Sequence, residues 1–146
     1  VGWFVFPDEL ARRIEATATA TYITPVQLGQ ATVNEFLEQG LFDANLARVR
    51  SLLGARRDKM LAALERDLPE LAVNRPDGGY FLWGEIEGAD AGELLVRCEE
   101  AGVTFVPGTD FAGPAGSLRL AFSFVSLDEI DEGVARLAAA LPASTV

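Results

Sequence analysis

The sequence has no histidine, and in 146 residues it carries one lysine, one cysteine and one methionine. The missing imidazole excludes a histidine base, a histidine-based triad and a histidine metal site. With Lys59 as the only lysine, whatever chemistry the chain takes part in is expected to rest on carboxylates, arginines or groups it does not carry. Cys98 has no partner for an internal disulfide, which fits a reducing, cytoplasmic setting. No apolar run approaches the roughly 20 residues that span a bilayer, and no signal-peptide pattern opens the chain, so no membrane partner is expected. Basic charge is also scarce. Against 22 Asp+Glu there are 12 Lys+Arg, which argues against direct contact with nucleic acid, because phosphate binding wants a basic face.

What is present suits a folded domain. The chain is 49% hydrophobic and 23% charged, ordinary for a globular protein and long enough to bury a core. Val1–Phe6 is a nearly continuous apolar run ended by Pro7, the pattern of a strand covered on both faces. Three helices are predicted next. The first begins near Asp8, with Leu10 and Ile14 on one face. The second has Thr24 as N-cap, Pro25 in the first helical position, Gln27 completing a capping box, and Gly40 as its stop. The third runs from Asp43 to Leu68, with apolar residues spaced by threes and fours and a weak point at Gly54.

After Pro69 the texture changes to short elements. Strands are predicted at Leu71–Asn74, Tyr80–Ile86, Val103–Val106 and Leu118–Phe124, with a turn at Arg75–Gly79 and a Gly/Pro loop at Thr109–Gly116. One helix starts at Asp90 and Glu93 and stops at Gly102. Another starts at Ser126 and Glu129 and is closed by Pro142. The expected fold class is α/β, as an α+β small domain of β-β-α-β-β-α order behind a helical arm and an orphan strand. The expected divisions are 1–42 for the strand and first helices, 43–69 for a long connecting helix, and 70–146 for the small domain.

Five pieces of this sequence, in order, resemble fold-type I, class I/II aminotransferases, above all the branch with aminoadipate aminotransferases and MocR-type regulators. They are Val1-Gly2-Trp3, Arg56-Arg57-Asp58-Lys59-Met60, Pro76 to Trp83, Gly102 to Phe111, and Leu118 to Ser123 with the helix that follows. The resemblance covers nearly the whole chain and implies the C-terminal part of a pyridoxal 5'-phosphate (PLP)-dependent aminotransferase. Residues 1–42 would then be a remnant of the large cofactor-binding domain. The resemblance further implies an amino acid and a 2-oxo acid as substrates, and a homodimer. It places the Schiff-base lysine and a phosphate-contacting arginine just before Val1. This chain is therefore expected to hold no cofactor covalently and to be inactive by itself. Where related sequences often carry His and Tyr, this one has Asn45 and Leu53, which leaves the subfamily and the substrate open.

Arg119 is the foremost candidate for substrate binding. A guanidinium grips a carboxylate with two parallel hydrogen bonds, and by the resemblance Arg119 stands where the family binds the substrate α-carboxylate. From the alternation alone, Arg119 reads more readily as a strand arginine paired to a neighbouring carboxylate on the solvated face. Gly79, Tyr80 and Phe81 are candidates for lining the pocket, although strand aromatics more often belong to a core. Lys59 reads as part of a solvated helix face. The arginines at 48, 50, 56 and 57 read as a solvated or interdomain face more than a phosphate site. No catalytic, cofactor-binding or metal-ligating residue is assigned within the chain. Two other readings remain. One is the effector-binding part of a MocR-type transcriptional regulator, and the other is a non-catalytic interaction module, which an unpaired opening strand disfavours.

Overall fold

A computed structural model describes residues 1–141. The chain divides into two compact units, Val1–Arg48 and Val49–Val146.

The first unit is helical. Helix α1 (Asp8–Thr21) starts directly after Pro7, with Asp8 and Glu9 in the first turn, where carboxylates complement the positive helix end. Helix α2 spans Gln27–Glu38. It closes at Gly40, whose φ of 68° suits a residue without a side chain and whose N–H donates to the Leu37 carbonyl at 2.9 Å. Neither helix buries a residue.

Two expectations fail in this unit. Val1–Phe6 forms no strand, and Trp3, Phe4 and Val5 are exposed. A strand needs a hydrogen-bonded neighbour, and no described strand pairs with this run. The capping box on Thr24 does not form either, since α2 begins at Gln27 behind Val26 with no side-chain cap. The chain between the helices makes a tight reversal, with Ile23 at φ 64° and the Thr24 N–H on the Tyr22 carbonyl at 2.7 Å. That turn commits the Thr24 backbone, and the helix starts later.

Helix α3 (Leu41–Asp67) runs on through Gly54 for 27 residues, about 40 Å at ~1.5 Å per residue. Its last turns bury Met60, Leu61, Ala63 and Leu64. The strands β1 (Ala72–Val73), β2 (Phe81–Glu85), β3 (Val106–Pro107) and β4 (Ser117–Ala121) make one antiparallel sheet in the order β1-β2-β4-β3. Helices α4 (Ala91–Glu100) and α5 (Leu127–Ala140) complete the predicted β-β-α-β-β-α order. Leu82, Leu118 and Leu120 point to the inner side of the sheet. There they join Leu64 and Leu68, Leu94 and Cys98, Ile130, Val134 and Leu137 in one core, with Phe105 and Phe122. Cys98 is wholly enclosed, as expected of a small apolar filler, and that burial pushes its thiol pKa up.

The helix starts follow the sequence closely. Asp90 accepts the Gly92 and Glu93 N–H groups at 2.8 and 3.1 Å, and Ser126 with Glu129 forms a complete capping box. Gly102 ends α4 at φ 75°. The strands are shorter than predicted. Val103 donates its N–H to Cys98 at 2.8 Å, so 103–105 stay tied to the helix end and β3 begins only at Val106. The strand predicted to reach Phe124 stops at Ala121, and Phe124 is 92% exposed, because the chain turns there toward the Ser126 cap. Pro142, expected to close the last helix, lies outside the described residues.

Candidate functional site

The outer side of the sheet carries the candidate site. In the β2–β4 register Trp83 lies opposite Arg119 and Phe81 opposite Ala121, while Val106 of β3 flanks Arg119 from the other side. Arg119 therefore occupies a central strand, where its backbone is held on both edges. Because side chains alternate across a strand, Phe81, Trp83 and Arg119 share the face opposite Leu82, Leu118 and Leu120.

On that face the guanidinium carbon of Arg119 lies 4.2 Å from the centre of the Phe81 ring and 4.6 Å from that of Phe111. Both distances are within cation–π range. Phe111 also meets Trp83 edge-on, with ring centres 6.0 Å apart, and Tyr80 meets Phe81 edge-on at 6.4 Å. Arg119 forms no ion pair and donates no side-chain hydrogen bond among the described residues. Its Nε is fully enclosed and has no acceptor. Leaving a buried donor unmade costs about 1–3 kcal/mol, so this arginine is not one that surface carboxylates have already neutralised. A guanidinium held this way can offer parallel donors to an incoming carboxylate.

Local sequence explains how these groups meet. Phe111 ends a single 3-10 turn, Gly108–Phe111, and the next residue, Ala112, takes the left-handed conformation at φ 57°. Gly108 and Gly113 lie where a Cβ would collide with the Ser117 hydroxyl and the Trp83 ring, so only glycine lets this loop fold back onto β4. Across the site, Asn74 Oδ1 accepts the Trp83 N–H at 2.8 Å, and the Asn74 N–H returns to the Trp83 carbonyl at 2.9 Å. Gly79 turns the chain at φ 90° into Tyr80 and Phe81, which are 54% and 41% exposed. Two α3 arginines reach the loops beside the site. Arg57 donates to the Pro76 carbonyl at 3.0 Å and Arg56 to the Ser123 carbonyl at 2.5 Å.

Of the residues singled out from sequence, Arg119 and Phe81 touch, Tyr80 stands behind Phe81, and Gly79 contributes a turn. Phe111 and Trp83 were not expected as members. The available signal was a lone aromatic, Phe111, in a loop otherwise rich in glycine and proline.

Lys59 lies elsewhere, in an ion pair with Asp131 that Arg66 joins at 3.4 Å. The hydrogen bond from Lys59, and then Arg66, hold the Asp131 carboxyl below its ordinary pKa. The only lysine is thus committed to tying α3 to α5. No group of acidic or sulfur ligands suited to a metal occurs among them, and no described helix is long and apolar enough to cross a membrane. A cavity of about 350 Å³ opens between α5 and Gly102-Val103. Arg136 at its rim is already bonded to Glu132 and Ala101.

Comparison with known proteins agrees with this picture. The chain is 39% identical over 140 residues to a 2-aminoadipate transaminase of Thermus thermophilus, covering 92% of this chain and 35% of that protein. It is 35% identical over 147 residues to the HTH-type transcriptional regulator TauR of Rhodobacter capsulatus, covering 97% of this chain and 30% of that one. The solved structure of LysN, an alpha-aminoadipate aminotransferase of Thermus thermophilus complexed with N-(5'-phosphopyridoxyl)-L-leucine, superposes with a TM-score of 0.82. Its sequence identity is 35%, over 93% of this chain and 36% of that one. The chain thus spans about a third of the length of these relatives. The family "Aminotransferase class I and II" matches residues 1–137. With the small-domain fold and the outward arginine of β4, this makes the chain a member of the class I and II aminotransferase family, whose cofactor is PLP.

Proposed function

We propose that the whole protein is a PLP-dependent aminotransferase that passes an amino group between an amino acid and a 2-oxo acid. In this reading, residues 70–146 form the small domain that holds the substrate α-carboxylate through Arg119. Residues 43–69 are the connecting helix, and residues 1–42 belong with the cofactor-binding domain. The observation that carries the proposal is the guanidinium of Arg119. It is fixed in a central strand, faced by two aromatic rings and left without a carboxylate partner among the described residues.

The chemical share of these residues is binding and orientation. Two parallel charge-assisted hydrogen bonds fix both the position and the plane of the carboxylate, which sets the direction of the bonds at the adjacent carbon. The cofactor supplies the electron sink and is held by residues other than these. The wider proposal is a cytoplasmic homodimer.

Two measurements test the reading. In the whole protein, Arg119→Ala raises KM for the amino acid about 10- to 150-fold, the equivalent of losing ~1.5–3 kcal/mol of charge-assisted hydrogen bonding. An unchanged KM would show that Arg119 is only structural. The chain of residues 1–146 mixed with PLP and amino acid gives no transamination, and turnover at the rate of an intact aminotransferase would overturn the assignment of the cofactor site to other residues.

A second reading has its own support. The similarity to TauR covers nearly all of this chain, and further relatives are called HTH-type regulators or MocR. In a regulator of that type the same arginine would hold the carboxylate of an effector, and a helix-turn-helix segment would precede the aminotransferase-like region. The sequence of the whole protein decides between the two readings.

A further inference from the structure

Phe111 is one of the two rings facing Arg119, and the fold around it fixes its position. It sits at the end of a 3-10 turn, is followed by an alanine in the left-handed region, and is backed by two glycines that no other residue could replace without a collision. A left-handed alanine is strained by ~1 kcal/mol or more, and strain of that kind persists only where the surroundings enforce it. What it achieves is the position of one ring, which is still 49% exposed. The ring lies against the Arg119 guanidinium on one side of its environment and against Trp83 on another.

The nitrogens of that guanidinium are unequal. Nε is enclosed without a partner, which leaves Nη1 and Nη2 as the donors open to a ligand. An arginine side chain ordinarily samples many rotamers and loses up to roughly 2 kcal/mol of rotamer entropy when fixed. Here two rings hold the guanidinium before any ligand arrives. They also displace water from around it, and a drier setting strengthens each hydrogen bond to an anion.

We propose that Phe111, with Phe81, is a positioning residue for carboxylate binding. The two rings preset the guanidinium so that a substrate carboxylate docks end-on, on Nη1 and Nη2, with Nε closed to it. This rests on the reading of Arg119 as the carboxylate grip and adds to it where the affinity comes from. Phe111 need not touch the ligand to matter, because it acts through the arginine.

The test uses the whole protein and a carboxylate that cannot react. 4-Methylpentanoate, which has no amino group, is titrated calorimetrically against wild type, Phe111→Leu, Phe111→Tyr, Arg119→Ala and the Phe111→Leu/Arg119→Ala double variant. The expected result is a Kd about 3- to 30-fold weaker for Phe111→Leu, the range of a partly desolvated cation–π contact. Phe111→Tyr, which keeps the ring, stays within about twofold of wild type, and Phe111→Leu has no further effect once Arg119 is gone. Where an amino-acid substrate is turned over, Phe111→Leu raises KM and leaves kcat nearly unchanged. Phe111→Met takes the place of the leucine variant if that one does not fold. Equal affinity in Phe111→Leu and wild type, while Arg119→Ala binds weakly, overturns the positioning role alone. So does additivity in the double variant. Unchanged affinity in Arg119→Ala overturns the underlying assignment of Arg119 instead.

Discussion

At the scale of single residues, the side chains that face outward from β4 and those that cap helices obey different rules, and each can be tested by itself. Glu129 Oε2 accepts the Ser126 N–H at 2.7 Å while Ser126 Oγ accepts the Glu129 N–H at 3.3 Å. The bond from the Ser126 backbone, more than any other cause, lowers the Glu129 pKa from its ordinary 4.5. A carboxylate whose pKa is depressed on folding contributes stability above its unfolded pKa and loses that contribution as pH falls through the folded value. Asp131, held down by Lys59 and Arg66, and Asp67, held down by Arg66, have the same sign. Thermal unfolding followed from pH 7 downward therefore shows little change until the ordinary carboxylate range near 4.5, then a steady fall in Tm. Glu129→Gln flattens part of that fall, and an identical profile in this variant would deny Glu129 its role. Replacing Ser126 by alanine costs about 1 kcal/mol, the usual value of an N-cap, measurable by chemical denaturation.

At the scale of elements, glycines separate strained positions from merely flexible ones. A Cβ on Gly54, midway along α3, would meet nothing within 4 Å. Gly54→Ala therefore stabilises the protein by about 0.5–1 kcal/mol through helix propensity and a stiffer unfolded chain, and denaturant titration should show a higher midpoint. Gly116 is the opposite case. A Cβ there would run into the Ile86 carbonyl, at the point where the Gly116 carbonyl accepts the Ile86 N–H at 3.0 Å. Gly116→Ala must break that end of the β2–β4 pairing, and a wild-type Tm in this variant would contradict the geometry. Much of this level could be read from the sequence, because caps and stops are local: Asp90, Ser126 with Glu129, Gly40 and Gly102 each act within a few residues. What could not be read depends on partners. Val1–Phe6 has the composition of a strand but no described neighbour to bond with, and the Thr24 cap loses to a reversal set by Tyr22 and Ile23. Phe111 reaches Arg119 only because a strained loop folds back, and no periodicity records that. The position of Arg119, by contrast, was legible, since alternation along β4 fixes its face.

At the scale of the molecule, the two units differ in how much they bury. From Met60 onward a continuous core forms, whereas Trp3, Phe4, Ile23, Val26 and Leu28 are all more than 70% exposed. A single exposed apolar residue needs no explanation, but several large ones exposed in one small unit favour association. A solution of the 146-residue chain is expected to bind a hydrophobic dye such as 8-anilinonaphthalene-1-sulfonate and to show an apparent mass that grows with concentration. A concentration-independent monomer with no dye signal would mean those residues are covered in solution. How such association proceeds is constrained by the sheet. Its outer strands, β1 and β3, are two residues long each, and one of them contains Pro107, which has no N–H to give. A ribbon this short offers a foreign strand too few hydrogen bonds to extend the sheet. Self-assembly of this chain should therefore proceed through its exposed apolar side chains, not by edge-to-edge extension of this sheet.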